Sequence, residues 1–349
     1  MNTPTVAKDP SSVAPEQDSG RSVEHRDHTP RSIFVAIDFS AASFAALDRA
    51  VVIARAVGAT VTLLHVIEDG ATAGSIGYSP DTVVVGDAID PQAMAERLHG
   101  LAQSKIPSEC LGQSLVSTGA AGPTIVAIAQ QRAADLIVVA TRGHSSLARA
   151  LLGSTADYLV REGLIPVLTV PARPDAADAG EENFTGQIKQ ILIPMDLSEP
   201  SLKSFVYGVS LARRLNATVM LAHVVPYLTI PRGEPMQESR LNLHAADAAE
   251  TKLREISRGA IAHDVAISTT IATGEAVEEI NRLAVELSSD LLVIATHGTG
   301  GVERALLGST AQKILHHATC PVLVVRRPEP HDTSRLSLPL FFPVAPFTP

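Results

Sequence analysis

The chain has 349 residues, a formal net charge of −9, 45% hydrophobic residues and only 3% aromatic ones, with no Trp. That length suits two domains plus tails, and the acidic balance argues against a nucleic-acid surface or an anionic membrane as partner. No apolar run approaches the ~18 residues of a membrane span, and the polar N-terminus carries no signal-peptide core. The cysteines, Cys110 and Cys320, exclude a Cys-based zinc site and a disulfide framework, so a reducing cytoplasm is the expected compartment.

In chain order, residues 1–30 mix charges, Pro and Ser and read as a disordered tail. The first domain, 31–172, opens on an apolar run at 33–38, suited to a strand buried on both faces. Ser40 or Ala41 starts a helix with Phe44, Leu47, Val51 and Ala54 on its apolar side. A strand at Thr60–Val66 precedes a polar loop with Gly74, Gly77, Pro80 and Gly86. Then come a helix at Pro91–Lys105, a short strand at Ser114–Ser117, a helix from Pro123 and a strand at Leu136–Ala140. A glycine loop leads to a helix opening at Gly153, and Val167–Val170 is the fifth strand. Residues 173–187 read as a linker, and 188–327 as a second domain whose first helix opens at Pro200. The Pro-rich tail, 328–349, carries Leu338, Leu340, Phe341, Phe342 and Phe347; it reads either as a loose end or as a peptide docking on a partner or on its own domains.

The second half repeats the first. Arg-Ala-Leu-Leu-Gly-Ser-Thr-Ala stands at Arg149–Ala156 and again at Arg304–Ala311, 155 residues on. Ile33–Ser40 corresponds to Ile191–Ser198, and Val61–Val66 to Val219–Val224, at an offset of 158. Thr118-Gly119 and Asp135–Thr141 recur 155 residues later. An almost constant offset of domain length means duplication of a whole domain, not a solenoid.

Alternating strands and helices, with right-handed crossovers, predict an α/β fold of two tandem doubly wound, Rossmann-like domains. Each is expected to hold a five-stranded parallel sheet of order 3-2-1-4-5 with helices on both faces. The order reverses between strands 1 and 4, and ligands in such sheets bind at the carboxyl ends there. Asp38 and the glycine loop before Gly153 therefore converge on one crevice, as Asp196 and the loop before Gly308 do on a second. Gly143 and Gly153 lack a Cβ, so main-chain N–H groups can approach an oxyanion closely. Ser154 offers a hydroxyl, and the helix it opens presents N–H groups with about half a positive charge. The plain alternative is an N-cap turn with a loop glycine. The edge strands Pro166–Val170 and Pro321–Val325 are apolar, which predicts that the halves pair about a pseudo-two-fold axis.

The motif after strand 4 reads Ala140-Thr-Arg142-Gly143-x9-Gly153-Ser154 in one half and Ala295-Thr-His-Gly298-x9-Gly308-Ser309 in the other. In this respect, and from Arg31 to Pro328, the chain resembles a tandem member of the universal stress protein family, whose nucleotide-binding branch carries Gly-x-x-Gly-x9-Gly-Ser/Thr. The resemblance implies that Gly143, Gly153, Ser154 and Thr155, with Gly298, Gly308, Ser309 and Thr310, wrap the ribose-phosphate part of ATP, alone or with magnesium. It implies that Asp38 and Asp196 contact the adenine end beside the backbone of Val66 and Val224. Alanine replaces the first motif glycine in both halves, at Ala140 and Ala295; it fits an extended backbone and is strained at positive φ. Arg142 is either extra positive charge near the phosphates or a solvated side chain.

Neither loop is a P-loop, because no Lys follows Gly153 or Gly308, and Glu303 occupies the third glycine slot of a dinucleotide fingerprint. His65 and His223 read as packed or hydrogen-bonded strand ends, and His316-His317 as a helix C-terminus favoured by the dipole. Asp38 with Ser40, and Asp196 with Ser198, also read as helix caps. No metal site and no catalytic set is assigned. The expected function is a cytoplasmic, non-catalytic stress-response factor that binds an adenine nucleotide in one or both domains, as a single chain or a homodimer. The alternatives are a slow ATPase or adenylyl-transfer enzyme, and a nucleotide-free interaction scaffold.

Overall fold

The computed structural model describes residues 29–68, 90–141, 152–171, 186–227, 235–259, 264–296, 307–326 and 341–342. In the first half these form β1 (Ser32–Ala36), α1 (Ala41–Val57), β2 (Thr60–Ile67), α2 (Pro91–Lys105), β3 (Leu111–Thr118), α3 (Ala121–Gln131), β4 (Leu136–Ala140), α4 (Ser154–Glu162) and β5 (Val167–Val170). The second half runs β6 (Gln190–Pro194), α5 (Glu199–Leu215), β7 (Thr218–Val225), α6 (Pro235–Gly259), β8 (Ile267–Thr273), α7 (Ala276–Glu286), β9 (Leu291–Ala295), α8 (Ser309–His317) and β10 (Val322–Val325). A two-residue β11 (Phe341–Phe342) follows.

The strands lie in the order β11-β3-β2-β1-β4-β5-β10-β9-β6-β7-β8. Within each half all pairings are parallel, as crossover helices require. The halves meet where β5 and β10 run antiparallel, with Leu168 opposite Leu323 and Thr169 opposite Val322. Both edge strands that needed cover therefore cover each other. β11 adds antiparallel to the outer edge of β3, Phe341 opposite Ser117, so part of the C-terminal stretch does pair with its own domain. The rest of that stretch, residues 1–28 of the N-terminal tail and residues 172–185 at the linker lie outside the described residues.

Strand side chains alternate between two apolar layers that run through both halves. Ile33, Val35, Ile191 and Ile193 pack against Leu47 and Ile53 of α1 and Phe205 and Leu211 of α5. Phe34 and Leu192 face the other way, toward Ile128, Leu159, Ile280 and Ile314. This two-sided burial explains why the strands read as unbroken apolar runs.

Three boundaries differ from the sequence expectation. β1 stops at Ala36, two residues short of Asp38, because Phe39 turns the chain at φ 62°. β3 is longer than Ser114–Ser117, and α3 starts at Ala121 with Pro123 inside its first turn, where no N–H is needed. The turn geometry repeats as faithfully as the sequence. All eight positive-φ residues among those described form four matched pairs: Phe39 with Leu197, Gly58 with Asn216, Gly119 with Gly274, and Ala133 with Ser288.

Candidate functional site

β1 and β4 are neighbours, with Ile33 beside Leu136, so their carboxyl ends flank one crevice; β6 and β9 do the same in the second half. Ala140 and Ala295 are the last residues of β4 and β9. Neither has a positive φ, so alanine sits there without backbone strain. Each glycine loop is tied at its neck, Gly153 N donating to Thr141 O at 2.6 Å and Gly308 N to Thr296 O at 2.7 Å. Arg142, Gly143 and Gly298 lie outside the described residues.

Gly153 and Gly308 are the N-caps of α4 and α8, at φ −64° and −59°. That is ordinary extended backbone, so no special dihedral requires glycine at either position. Neither helix has a side-chain cap, whereas Ser40, Asp90, Ser198 and Glu275 cap α1, α2, α5 and α7. Ser154 with Thr155, and Ser309 with Thr310, form the first turns of α4 and α8, with Ser154, Ser309 and Thr310 exposed. Among the described residues, the first-turn N–H groups of both loop helices thus lack the side-chain oxygen that caps α1, α2, α5 and α7; α3 has no N-cap side chain either, but Glu68 takes its first amide.

Across the crevice, Asp38 Oδ1 accepts from Ser40 N at 2.9 Å and Ser40 Oγ at 2.5 Å. Asp196 holds Ser198 in the same way, at 3.1 Å and 2.5 Å. Both serines are also N-caps, so the capping reading of Asp-x-Ser is correct and leaves room for a second role. The residue between, Phe39 or Leu197, sits at φ 62° or 64°. A bulky side chain there costs about 1–3 kcal/mol, and such strain persists only where its surroundings enforce it. The same strained turn recurs at both crevices.

His65 donates from Nδ1 to Ile37 O at 2.7 Å, and His223 to Met195 O at 2.6 Å, which fixes the proton on Nδ1. These strand-end histidines are hydrogen-bonded, as expected, and half-buried Val66 and Val224 follow them. The first crevice differs in its ring stack: Phe39 lies 5.0 Å from the His65 ring and carries the Arg97 guanidinium 4.1 Å above its centroid. Leu197 removes that stack from the second.

Burial holds His65 below its usual value near 6.5; the Ile37 bond and Asp38 oppose this, and Arg97 adds to it. A histidine depressed in the folded state binds its proton more readily when unfolded. Its stabilising contribution is therefore complete above pH 6.5 and is lost as pH falls through the folded value. His65→Gln is expected to flatten the slope of urea stability against pH below 6.5, and an unaltered slope would contradict this origin.

Sequence reasoning missed two contacts by which the second half holds α4 and its entry. His316 Nδ1 lies 3.4 Å from the main-chain N of Leu152, the residue before Gly153. Arg326 Nη2 donates to the carbonyl of Arg161 at the far end of α4. Only the position of His316 on the last turn of its helix was legible; its target is 164 residues away.

A family model described as the universal stress protein family matches residues 30–171 and 187–326. A universal stress protein of Mycolicibacterium smegmatis is 28% identical over 305 residues, 85% of this chain and 98% of its own length. Another, from Methanocaldococcus jannaschii, is 34% identical over 144 residues, 40% of this chain and 84% of its own. The crystal structure of a putative universal stress protein from Pseudomonas aeruginosa UCBPP-PA14 matches with a TM-score of 0.57 at 20% identity, covering 86% of this chain and 94% of that one. One from Archaeoglobus fulgidus gives 0.55 at 18%, covering 86% and 97%. At those identities the two structures bear on the fold, and their coverage spans both halves. With two family matches in sequence and one fold repeated on either side of the β5–β10 seam, the chain belongs to the universal stress protein family as a tandem pair of its domains.

Proposed function

We propose that the protein binds an adenine nucleotide, ATP, at the strand 1/strand 4 crevice of its domains and acts through occupancy, not turnover. The observation carrying this reading is the pair of uncapped helix N-termini at Gly153-Ser154 and Gly308-Ser309, each facing an Asp-x-Ser turn across the point where strand order reverses. Phosphate oxygens would take main-chain N–H groups of α4 and α8 and the hydroxyls of Ser154, Thr155, Ser309 and Thr310. Hydrogen bonds to a charged group contribute about 1.5–3 kcal/mol each. In a chain of net charge −9, such local donors supply the positive field that the surface as a whole does not. Asp38 and Asp196, with Val66 and Val224, would border the base. Magnesium would enter with the phosphates, since Asp38 Oδ1 and Asp196 Oδ1 already hold serines.

The test is calorimetric titration of ATP into the full chain and into Gly153→Val/Gly308→Val. Valine fits the extended backbone at both positions, so the variant is expected to fold and to lose at least about tenfold in affinity. Phosphate release is expected to stay at background in both. No heat and no thermal protection in the folded parent chain would remove the reading; phosphate release abolished by the double substitution would replace it with an ATPase.

A further inference from the structure

The two crevices are built from one repeated sequence, yet the helix at the first carries contacts from the other domain that the repeat does not encode for the second. His316, on the last turn of α8, reaches the amide of Leu152 at 3.4 Å, immediately ahead of the α4 N-cap. Arg326, beyond β10, donates to Arg161 O at the other end of the same helix. Domain 2 thus holds the loop helix of domain 1 at both its entry and its exit.

The asymmetry has a sequence cause. The residue matching His316 in domain 1 is Arg161, and Arg161 Nε is folded back on Asp157 one turn earlier, at 2.8 and 2.9 Å. The residue matching Asp157 in domain 2 is Gln312. Gln312 offers no carboxylate to match Asp157, and the His316 ring reaches Leu152 across the interface. The counterpart of Arg326 is Pro171, which has no side-chain donor. Two paired differences between the repeats, Asp157/Gln312 and Arg161/His316, therefore turn a within-helix ion pair into a contact between domains.

We infer that His316 is a positioning residue for the anion site of domain 1: by accepting the Leu152 amide it fixes the entry to α4 at Gly153-Ser154, so that this N-terminus is held in place only when domain 2 is docked. The inference rests on the nucleotide reading above and deepens it. It makes the two sites unequal, with the first dependent on the interface and the second indifferent to His316. A neutral imidazole accepting at Nδ1 carries its proton on Nε2, the opposite tautomer to His65 and His223.

The experiment isolates each site in the full chain. On a Gly308→Val background, where only the first crevice is intact, His316→Leu is expected to weaken ATP binding about tenfold, the scale of one hydrogen bond. His316→Asn, whose amide oxygen takes the place of Nδ1, is expected to restore affinity to within about threefold. On a Gly153→Val background neither substitution is expected to matter. Hydrogen exchange of the Leu152 amide without nucleotide is read alongside: protected in the parent and His316→Asn, fast in His316→Leu. Equal affinity of His316→Leu and its parent on the first background, failure of the Asn variant to rescue, or equal loss on both backgrounds would each overturn the inference. Absence of ATP binding on both backgrounds would instead overturn the nucleotide reading, and the exchange data would still report whether the Leu152 contact exists.

Discussion

Leu168→Asp should abolish or nearly abolish folding of the full chain, with a loss of at least about 5 kcal/mol in urea unfolding followed by circular dichroism. Leu168 is fully buried and lies opposite Leu323, itself 1% exposed, in the antiparallel seam between the halves. β4 flanks β5 on its other side, and Val138 sits beside Leu168 in that register. A carboxylate there would lose its water without gaining a partner. Removing the apolar side chain alone, in Leu168→Ala, is expected to cost about 3–5 kcal/mol, because strands fixed on both sides have little freedom to collapse into the cavity. The alanine variant keeps the test readable if the aspartate variant never folds. A midpoint unchanged by either would mean that the seam does not hold the halves together.

The second large effect is expected at Arg49. It lies on α1 and is 2% exposed, an unusual state for an arginine, and its Nη1 donates to Gly186 O at 3.2 Å where the chain enters domain 2. α1 packs against α5, whose matching residue is Tyr207. The Tyr207 hydroxyl is buried without a hydrogen-bond partner, and burial, with Asp135 nearby, pushes its pKa up and keeps it neutral. Arg49→Ala would delete both the hydrogen bonding and the packed aliphatic stem, with an expected loss of about 2–4 kcal/mol. Arg49→Met keeps the stem but leaves the Gly186 carbonyl without this donor, so a loss smaller than that of the alanine variant is expected. A methionine variant as unstable as the alanine one would show that charge, and not volume, is what the interface requires.

These two positions illustrate what the sequence disclosed and what it withheld. Apolar runs such as Leu136–Ala140 and Val322–Val325 could only be strands buried on both faces, and the near-constant repeat offset made one domain's topology serve for two. The expected strand order, 3-2-1-4-5, is the order found in each half. The unsatisfied edges of β5 and β10 announced that they needed each other, so Leu168 was legible as interior. Arg49 was not, because nothing local distinguishes it from a solvated helix arginine such as Arg55; its hydrogen-bond partner, the Gly186 carbonyl, lies 137 residues along the chain.

The site divides the same way. Ala140, Gly153 and Ser154 fall at the strand end and helix start that the spacing required. Asp38 was expected to end a strand and instead follows one. The positive φ of Phe39 left no trace in composition, since β-region and left-handed phenylalanines look alike in a sequence. His316 was hidden for a different reason: its reading as a dipole-favoured helix terminus was adequate by itself, and only the docking of two domains gives its ring a target.

The β5–β10 seam also bears on how such a protein can diverge. Two identical subunits joined across the same strands would share one coding sequence, and every substitution would alter both crevices together. Fusing the pair into one polypeptide frees each crevice to drift alone while keeping their ratio at one to one. Phe39 against Leu197, and Arg161 against His316, are the marks of that freedom.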